Sequence, residues 1–513
     1  MSIESAWIGE STETSSCVCV CVSVTGTVTL SGSGFTAPAS QSVNTGTNSG
    51  VARFDVTGLT KGQSYPATVT FTGGNSIAVT MKTLSDDKLH IAIISCTDSN
   101  KSRKHAWNSM RDTMNALDAP VILMSVGDFG YADNTPESYG ALSSTPSNNY
   151  DANSEASDFQ GSYRLTKRIM LQLPWVQDII RHNPVYFILD DHDIFDGWDW
   201  SLLEANRAFQ DNGAPSVEQI PDVLSDANKI LYLQDMYDLS REVYDDFSQG
   251  NPTNTDSDLD TYPVASYFRQ RVGTLCELFA IDAVSYRHPR TSGGVYTEPW
   301  TIITDVSGNK TLLGDTGKAL PVANAGSGDG KQLPWFKAQL TASEAAGVKH
   351  KIVACNKKTH PNNPDNTDHM GNWSNERDST LKWIVDNSIT SVVWGTGDRH
   401  DPVAIYRHGD ETIDSATVNV EHVCVSACPI GRYQVGVTPV AGATYEPHVV
   451  WKGAGQSGDY TPWNKNFRCY SIATITPEKQ EWSIYSAQEV GRYVWRGHVN
   501  AGENKLSYVR PKL

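Results

Sequence analysis

"FILDDHDIFDGWDW" (residues 187–200) runs a short apolar stretch straight into six ionisable side chains, Asp190, Asp191, His192, Asp193, Asp196 and Asp199. Adjacent carboxylates repel one another unless something positive lies between them. An apolar run without alternation, entered through Pro184 and ending in acids, predicts a strand covered on both faces whose carboxyl end opens onto a cation.

The same pattern recurs along the chain from Leu89 onward. "LHIAIIS" (89–95), "PVILMSV" (120–126), "LCELFAIDAVS" (275–285), "KHKIVAC" (349–355), "ITSVVWG" (389–395) and "HVCVSA" (422–427) are apolar without alternation. Helix-like stretches separate several of them. "KHAWNSMRDTMNAL" (104–117) sets Trp107, Met110, Met114 and Leu117 at helical spacing, and "RLTKRIMLQLPWVQDIIRH" (164–182) is similarly amphipathic. Strand, helix and strand in repetition argue for a layered α/β (α+β) domain with a largely parallel or mixed sheet. "FRCYSIATITPEKQEWSIYS" (467–486) reads as two strands around a Pro-containing turn that close a sheet edge, and the polar stretches 141–160 and 206–262 read as insertions at the mouth of a site.

Ligands of such domains bind at the carboxyl ends of the strands, so the residues after each apolar run matter most. Four exits share one character: Cys96-Thr97-Asp98, then Gly127-Asp128-Phe129-Gly130-Tyr131, then Asp190-Asp191-His192-Asp193, then Gly397-Asp398-Arg399-His400. One Asp after a strand is usually a turn former or helix cap. Four exits that each deliver oxygen, imidazole or thiolate donors to one edge describe a multi-metal site.

These motifs carry a resemblance. "GDFGYAD" is similar to the GDxxY signature and "LDDHDIFDGWDW" to the DDH-acid motif of PhoD-like proteins, a branch of the calcineurin-like metallophosphoesterases; "ISCTD" and "GDRH" resemble the first and last metal-binding strand ends of that branch. The likeness spans roughly residues 89–480. Where the wider superfamily begins with Asp-x-His, this chain has the PhoD-like Cys96-x-Asp98, and Leu189 stands where the family often has Trp. The resemblance implies a metallophosphoesterase sandwich and the hydrolysis of phosphate esters, as alkaline phosphatase or phosphodiesterase, by metal-activated hydroxide. Cys96 and Tyr131 are strong donors that point to Fe3+; the resemblance implies that Asp128 would bridge it to Ca2+, with Asp98, Asp191, Asp398 and His400 as further candidate ligands, and Mn2+ or Zn2+ as other metals such a site accepts. His192, with Asp191 the working pair, would stabilise the phosphorane or protonate the leaving alkoxide. Asp190 is expected to orient His192, ligate metal or face substrate, and Asp193 to orient His192. Arg399, Lys357, Lys358 and Arg377 are candidates for the non-bridging oxygens. Alternatives are a phospholipase D-like phosphodiesterase, a metal-dependent oxidoreductase, or a binding or structural protein with a vestigial metal site.

Residues 1–85 differ in kind. They are rich in Ser, Thr, Gly and Val, with alternating stretches such as "CVCVCVSVTGTVTL" and "YPATVTFTG", which predicts a small antiparallel β-sandwich. "FDVTGLTKGQSYPATVTF", with a Tyr opening its second strand, resembles a fibronectin type III or immunoglobulin-like domain, and "LSDDK" (84–88) is the expected linker to a catalytic domain over 86–513. Cys17, Cys19 and Cys21 alternate, so they share one strand face and are poor partners for one another; buried reduced thiols are expected.

Composition narrows the partners. With 41 Lys plus Arg against 58 Asp plus Glu, the net charge of -17 disfavours general binding to nucleic acid or anionic membranes, so an anionic substrate needs a local positive centre. No run approaches the roughly 18 apolar residues of a membrane span. The start "MSIESAWIGESTETSS" lacks a signal-peptide pattern, so a cytoplasmic location is the default expectation although the family is often exported. A small phosphate ester is the expected partner, and the chain carries no sign of its oligomeric state.

Overall fold

The computed structural model describes residues 2–46, 50–97, 104–130, 163–193, 239–252, 266–284, 332–357, 359, 374–398, 403–413, 416–426, 428–429, 449–452, 469–486, 490–491 and 493–509. The stretch 141–160 and most of 206–262 lie outside the described residues.

The N-terminal strands form two facing antiparallel sheets. β1 (Ile3–Ser11), β2 (Ser15–Val22) and β5 (Val51–Thr57) make one; β3 (Gly26–Gly32), β4 (Gln41–Val43), β6 (Ser64–Phe71) and β7 (Ser76–Lys82) make the other, in the order β4-β3-β6-β7. Strand alternation then divides β2 between two cores. Val18, Val20 and Val22 pack inside the sandwich with Phe54, Val69 and Met81. Cys17, Cys19 and Cys21 point the other way, into a cluster with Trp7, Trp107 and Met110, so the cysteine stripe is where the sandwich docks on the α/β layers. All three are buried and none is in a disulfide, and burial pushes the Cys21 thiol up to about 12, as expected of inert thiols. The corner before β6 is closed by Tyr65, whose hydroxyl accepts the N–H of Thr60 at 2.7 Å.

Two larger sheets follow. β8 (Leu89–Ser95), β9 (Val121–Val126) and β10 (Val185–Ile188) run parallel to one another. β19 (Cys469–Ile475), β20 (Lys479–Ser486), β21 (Tyr493–Asn500) and β22 (Leu506–Val509) extend that sheet antiparallel from β8, while β17 (Cys428–Pro429) pairs with β8 in parallel. The second sheet has the order β11 (Phe268–Val272), β12 (Cys276–Ile281), β13 (His350–Cys355), β14 (Val392–Thr396), β16 (Ala416–Ser426), β15 (Val403–Ile413), β18 (Val449–Lys452), and β12, β13, β14 and β16 are parallel. Their inner faces share a core that includes Ile91, Ile93, Met124, Ile352, Val393 and Trp482. Helices cover the outer faces: Lys104–Asn115, 163–172 and Pro174–Ile180 on the first sheet, Gln332–Ala345 and Ser374–Asp386 on the second. The expected α/β layers and the preceding all-β region are both present.

Two local expectations are refined. The amphipathic stretch 164–182 is two helices, because Pro174 cannot donate into the preceding turn and instead opens the second helix, with Leu173 extended (φ -56°, ψ 125°). The hairpin 467–486 does not end its sheet: β19 pairs with β8 in the interior and β21 and β22 form the margin. The alternation in β19 to β22 gave no sign of that order, because antiparallel interior and edge strands read alike.

Candidate metal centre

The parallel strands β8, β9, β10, β13 and β14 all finish on one edge of the paired sheets. Immediately past their ends the backbone leaves the ladder in unusual conformations. Cys96, Asp128 and Asp398 have φ of 53°, 55° and 61°, the left-handed region that costs a non-glycine residue about 1–3 kcal/mol unless its surroundings enforce it. At Cys96 and Asp128 a small web enforces it: Cys96 N–H donates to Gly127 O (3.4 Å), Thr97 N–H to Asp128 O (2.9 Å) and Gly130 N–H to Thr97 O (2.9 Å). Two glycines let the exits approach. A Cβ on Gly127 (φ 94°) would lie 2.3 Å from the Cβ of Asp190, and one on Gly397 would lie 2.3 Å from Val126 O. Neither position has room for any other side chain.

This packing brings four carboxylates together. Asp128 from the end of β9, Asp190 and Asp191 from the end of β10, and Asp398 beyond β14 each offer an oxygen, and these oxygens all lie within 4.8 Å of one another. Asp128 and Asp190 are fully buried and Asp191 is nearly so. Lys357, two residues past the end of β13 and also fully buried, sends its ammonium among them: Nζ lies 2.8 Å from Asp190, 2.8 Å from Asp191 and 3.1 Å from Asp398. Asn356 beside it fastens two more exits, donating to Leu189 O at 2.6 Å and accepting the N–H of Ala283 at 2.9 Å.

Burial dominates the electrostatics. It pushes the Asp128 carboxyl up to about 8, with nearby His192 pulling down and Asp191 pushing up. Burial likewise holds Asp190 well above the usual carboxylate range despite Lys357. Asp190 Oδ2 is buried and has no hydrogen-bond partner among the described residues, while Oδ1 accepts the Asp191 N–H at 2.8 Å. A cluster of buried carboxylates with an oxygen left over fits hard multivalent cations, which supply the missing charge and take oxygen donors. His192 sits in the one-turn 3₁₀ helix Asp191–Asp193 and is 5% exposed.

Of the residues singled out in the sequence, the structure brings Asp128, Asp190, Asp191 and Asp398 together, with His192 adjoining them. Cys96 is buried at the end of β8, its Sγ 3.3 Å from Ser95 Oγ. Asp98, Tyr131, Lys358, Arg399 and His400 lie outside the described residues, as does the side chain of Arg377. Lys357, one of the candidates for the non-bridging oxygens, contacts the carboxylates. Asp193, expected to orient His192, bonds to the backbone of Asp128 and Asp190 and to Lys167. Asn356 and Lys167 were not foreseen. Asn356 had a signal, since it is the first residue after an apolar run; Lys167 lies within a helix and had none.

A pair of mixed sheets flanked by helices, with acidic strand exits converging on one edge, defines a metallophosphoesterase fold. The sequence matches the family model of the PhoD-like phosphatases over residues 91–462, and the chain belongs to that family. It is therefore a phosphoric ester hydrolase that works with metal ions, and phosphate esters are its substrates. Among solved structures, that of PhoD matches with a TM-score of 0.68 at 14% identity, covering 99% of this chain and 92% of that one. A purple acid phosphatase isolated from yellow lupin (Lupinus luteus) seeds matches with a TM-score of 0.53 at 8% identity, covering 95% and 72%. No curated protein matches the chain. Among the described residues no helix is long and apolar enough to cross a membrane.

Proposed function

We propose that the chain hydrolyses small phosphate mono- or diesters at a centre of two or more cations held by Asp128, Asp190, Asp191 and Asp398, with Cys96, Tyr131, Asp98 and His400 completing the donor set. The observation that carries this is the convergence of four carboxylate oxygens within 4.8 Å of one another at the strand exits. The thiol of Cys96 and the phenol of Tyr131 favour Fe3+ on their side, and the carboxylates favour Ca2+ on the other. Cations so held would supply Lewis acidity and a hydroxide at neutral to alkaline pH for in-line displacement at phosphorus.

The protein's own groups do the rest. Asp128, at the meeting of the β9 and β10 exits, would offer its carboxylate to the cations. Lys357 neutralises part of the charge of Asp190, Asp191 and Asp398 and fixes their spacing. His192, next in the chain to Asp191, stands at the cluster and delivers a proton to the leaving alkoxide. Arg399 would contact the non-bridging oxygens. We further propose that residues 1–85 form a separate sandwich domain and residues 86–513 the catalytic one. The test is hydrolysis of mono-aryl and bis-aryl phosphates between pH 7 and 10 by protein of measured iron and calcium content. Turnover of either ester by metal-replete protein supports the reading, and the ratio of the two sorts monoesterase from diesterase; no turnover of either defeats it.

A further inference from the structure

Beneath the carboxylates lies a second, smaller set of charges. Asp193 is 1% exposed and Lys167 is 5% exposed. The Lys167 ammonium is paired with Asp193 Oδ1 and donates to the carbonyl of Phe129 at 2.7 Å. The other carboxylate oxygen, Oδ2, accepts two backbone N–H groups, that of Asp128 at 3.1 Å and that of Asp190 at 3.0 Å. The N–H of Asp193 returns to Asp190 O at 3.0 Å. The rings of Phe129 and Tyr163 each lie 5.8 Å from the ammonium and help enclose it.

One ion pair thus ties the exits of β9 and β10 to the helix 163–172. The need for it follows from the topology. β9 ends at Val126 and β10 at Ile188, so the amides of Asp128 and Asp190 have left the ladder, are buried, and require an acceptor. A carboxylate accepts them more strongly than a neutral group would, and Lys167 balances the charge that this buries. Both amides belong to residues whose side chains enter the metal centre, and Asp128 is held there in a left-handed conformation. We propose that Asp193 and Lys167 are a positioning pair that sets the spacing of the Asp128 and Asp190 carboxylates, and with it metal affinity, while touching neither metal nor substrate. The proposal rests on the reading of Asp128 and Asp190 as metal-holding residues.

The experiment is Mn2+ binding to metal-stripped full-length protein, by equilibrium dialysis with the EPR spectrum of the bound ion recorded, for wild type, K167M, K167R, D193N, K167M/D193N and D128N. Groups that orient ligands typically shift metal affinity 10- to 100-fold. K167M and D193N should weaken Mn2+ binding at least about tenfold and broaden the bound-ion spectrum with unchanged far-UV circular dichroism, and K167R, which keeps the charge, should recover part of the loss. Wild-type affinity and spectrum in folded K167M and D193N would overturn the proposal. If the single variants fail to fold, the double variant, which buries neither charge, decides it the same way: weaker Mn2+ binding supports the pair, wild-type binding overturns it. D128N separately tests the underlying reading, which fails if that variant binds Mn2+ like wild type.

Discussion

The two ends of the parallel strand β13 face opposite demands. At its start, His350 and Lys351 are fully buried, yet their partners are close at hand. His350 bonds Ser391 Oγ at 2.7 Å and Thr476 O at 2.9 Å, and Lys351 pairs with Glu344 and donates to Val348 O at 2.8 Å. At its end, Lys357 contacts three carboxylates of a group of four. The first arrangement is closed and serves the fold. The second gathers four carboxylates around one lysine and puts left-handed residues at three strand exits, a costly local structure that a cation held there would offset.

Four substitutions sharpen that contrast. Asp128→Asn should have the largest effect, lowering bound metal and activity together by at least roughly 100-fold while raising the thermal midpoint of the metal-free protein, because it removes a carboxyl whose ionisation burial opposes; elemental analysis, an aryl phosphate assay and calorimetry read the three. His192→Ala should spare metal content and lower turnover by about 10²–10⁴, which steady-state kinetics at saturating metal would check. Retained turnover with lost metal would reverse the two roles. At the other end, Glu344→Ala leaves the buried Lys351 ammonium without its carboxylate and should cost about 1–3 kcal/mol in denaturant unfolding, with kcat and metal content unchanged.

The smallest effect is a pH dependence. Burial pushes His350 down from its ordinary 6.5 to about 4. Between those values the unfolded chain binds a proton that the folded chain refuses, so the contribution to stability is complete above pH 6.5 and is lost as pH falls toward 4. His350→Gln should flatten this part of the profile, by about 1–3 °C in thermal midpoint between pH 7 and 5. An identical slope in wild type and variant would place the acid sensitivity elsewhere.

The same contrast explains what the sequence made legible. Three of the strand exits can be read because an acid stands two residues past the end of β9, β10 and β14, so Asp128, Asp190, Asp191 and Asp398 stand out from the residue pattern alone. The β2 cysteines can be read because strand alternation assigns faces by parity. Lys167 cannot, since it is 26 positions from Asp193 and a lysine on an amphipathic helix normally reaches solvent. Lys357 is visible but reads as a phosphate contact, because sequence shows charge without showing which charges a fold has crowded beside it. Asp193 misleads for a related reason: adjacency to His192 suggests a side-chain partner, whereas the turn Asp191–Asp193 aims its carboxylate back at the amides of Asp128 and Asp190.

The central claim is that catalysis resides in cations held by the strand-exit carboxylates. It is tested most directly by stripping the purified protein with chelator, confirming the loss by elemental analysis, and following aryl phosphate hydrolysis as iron and calcium are returned separately and together. The account predicts that activity disappears with the metal and returns on reloading in wild type but not in Asp128→Asn. Undiminished hydrolysis by protein shown to be metal-free would contradict it.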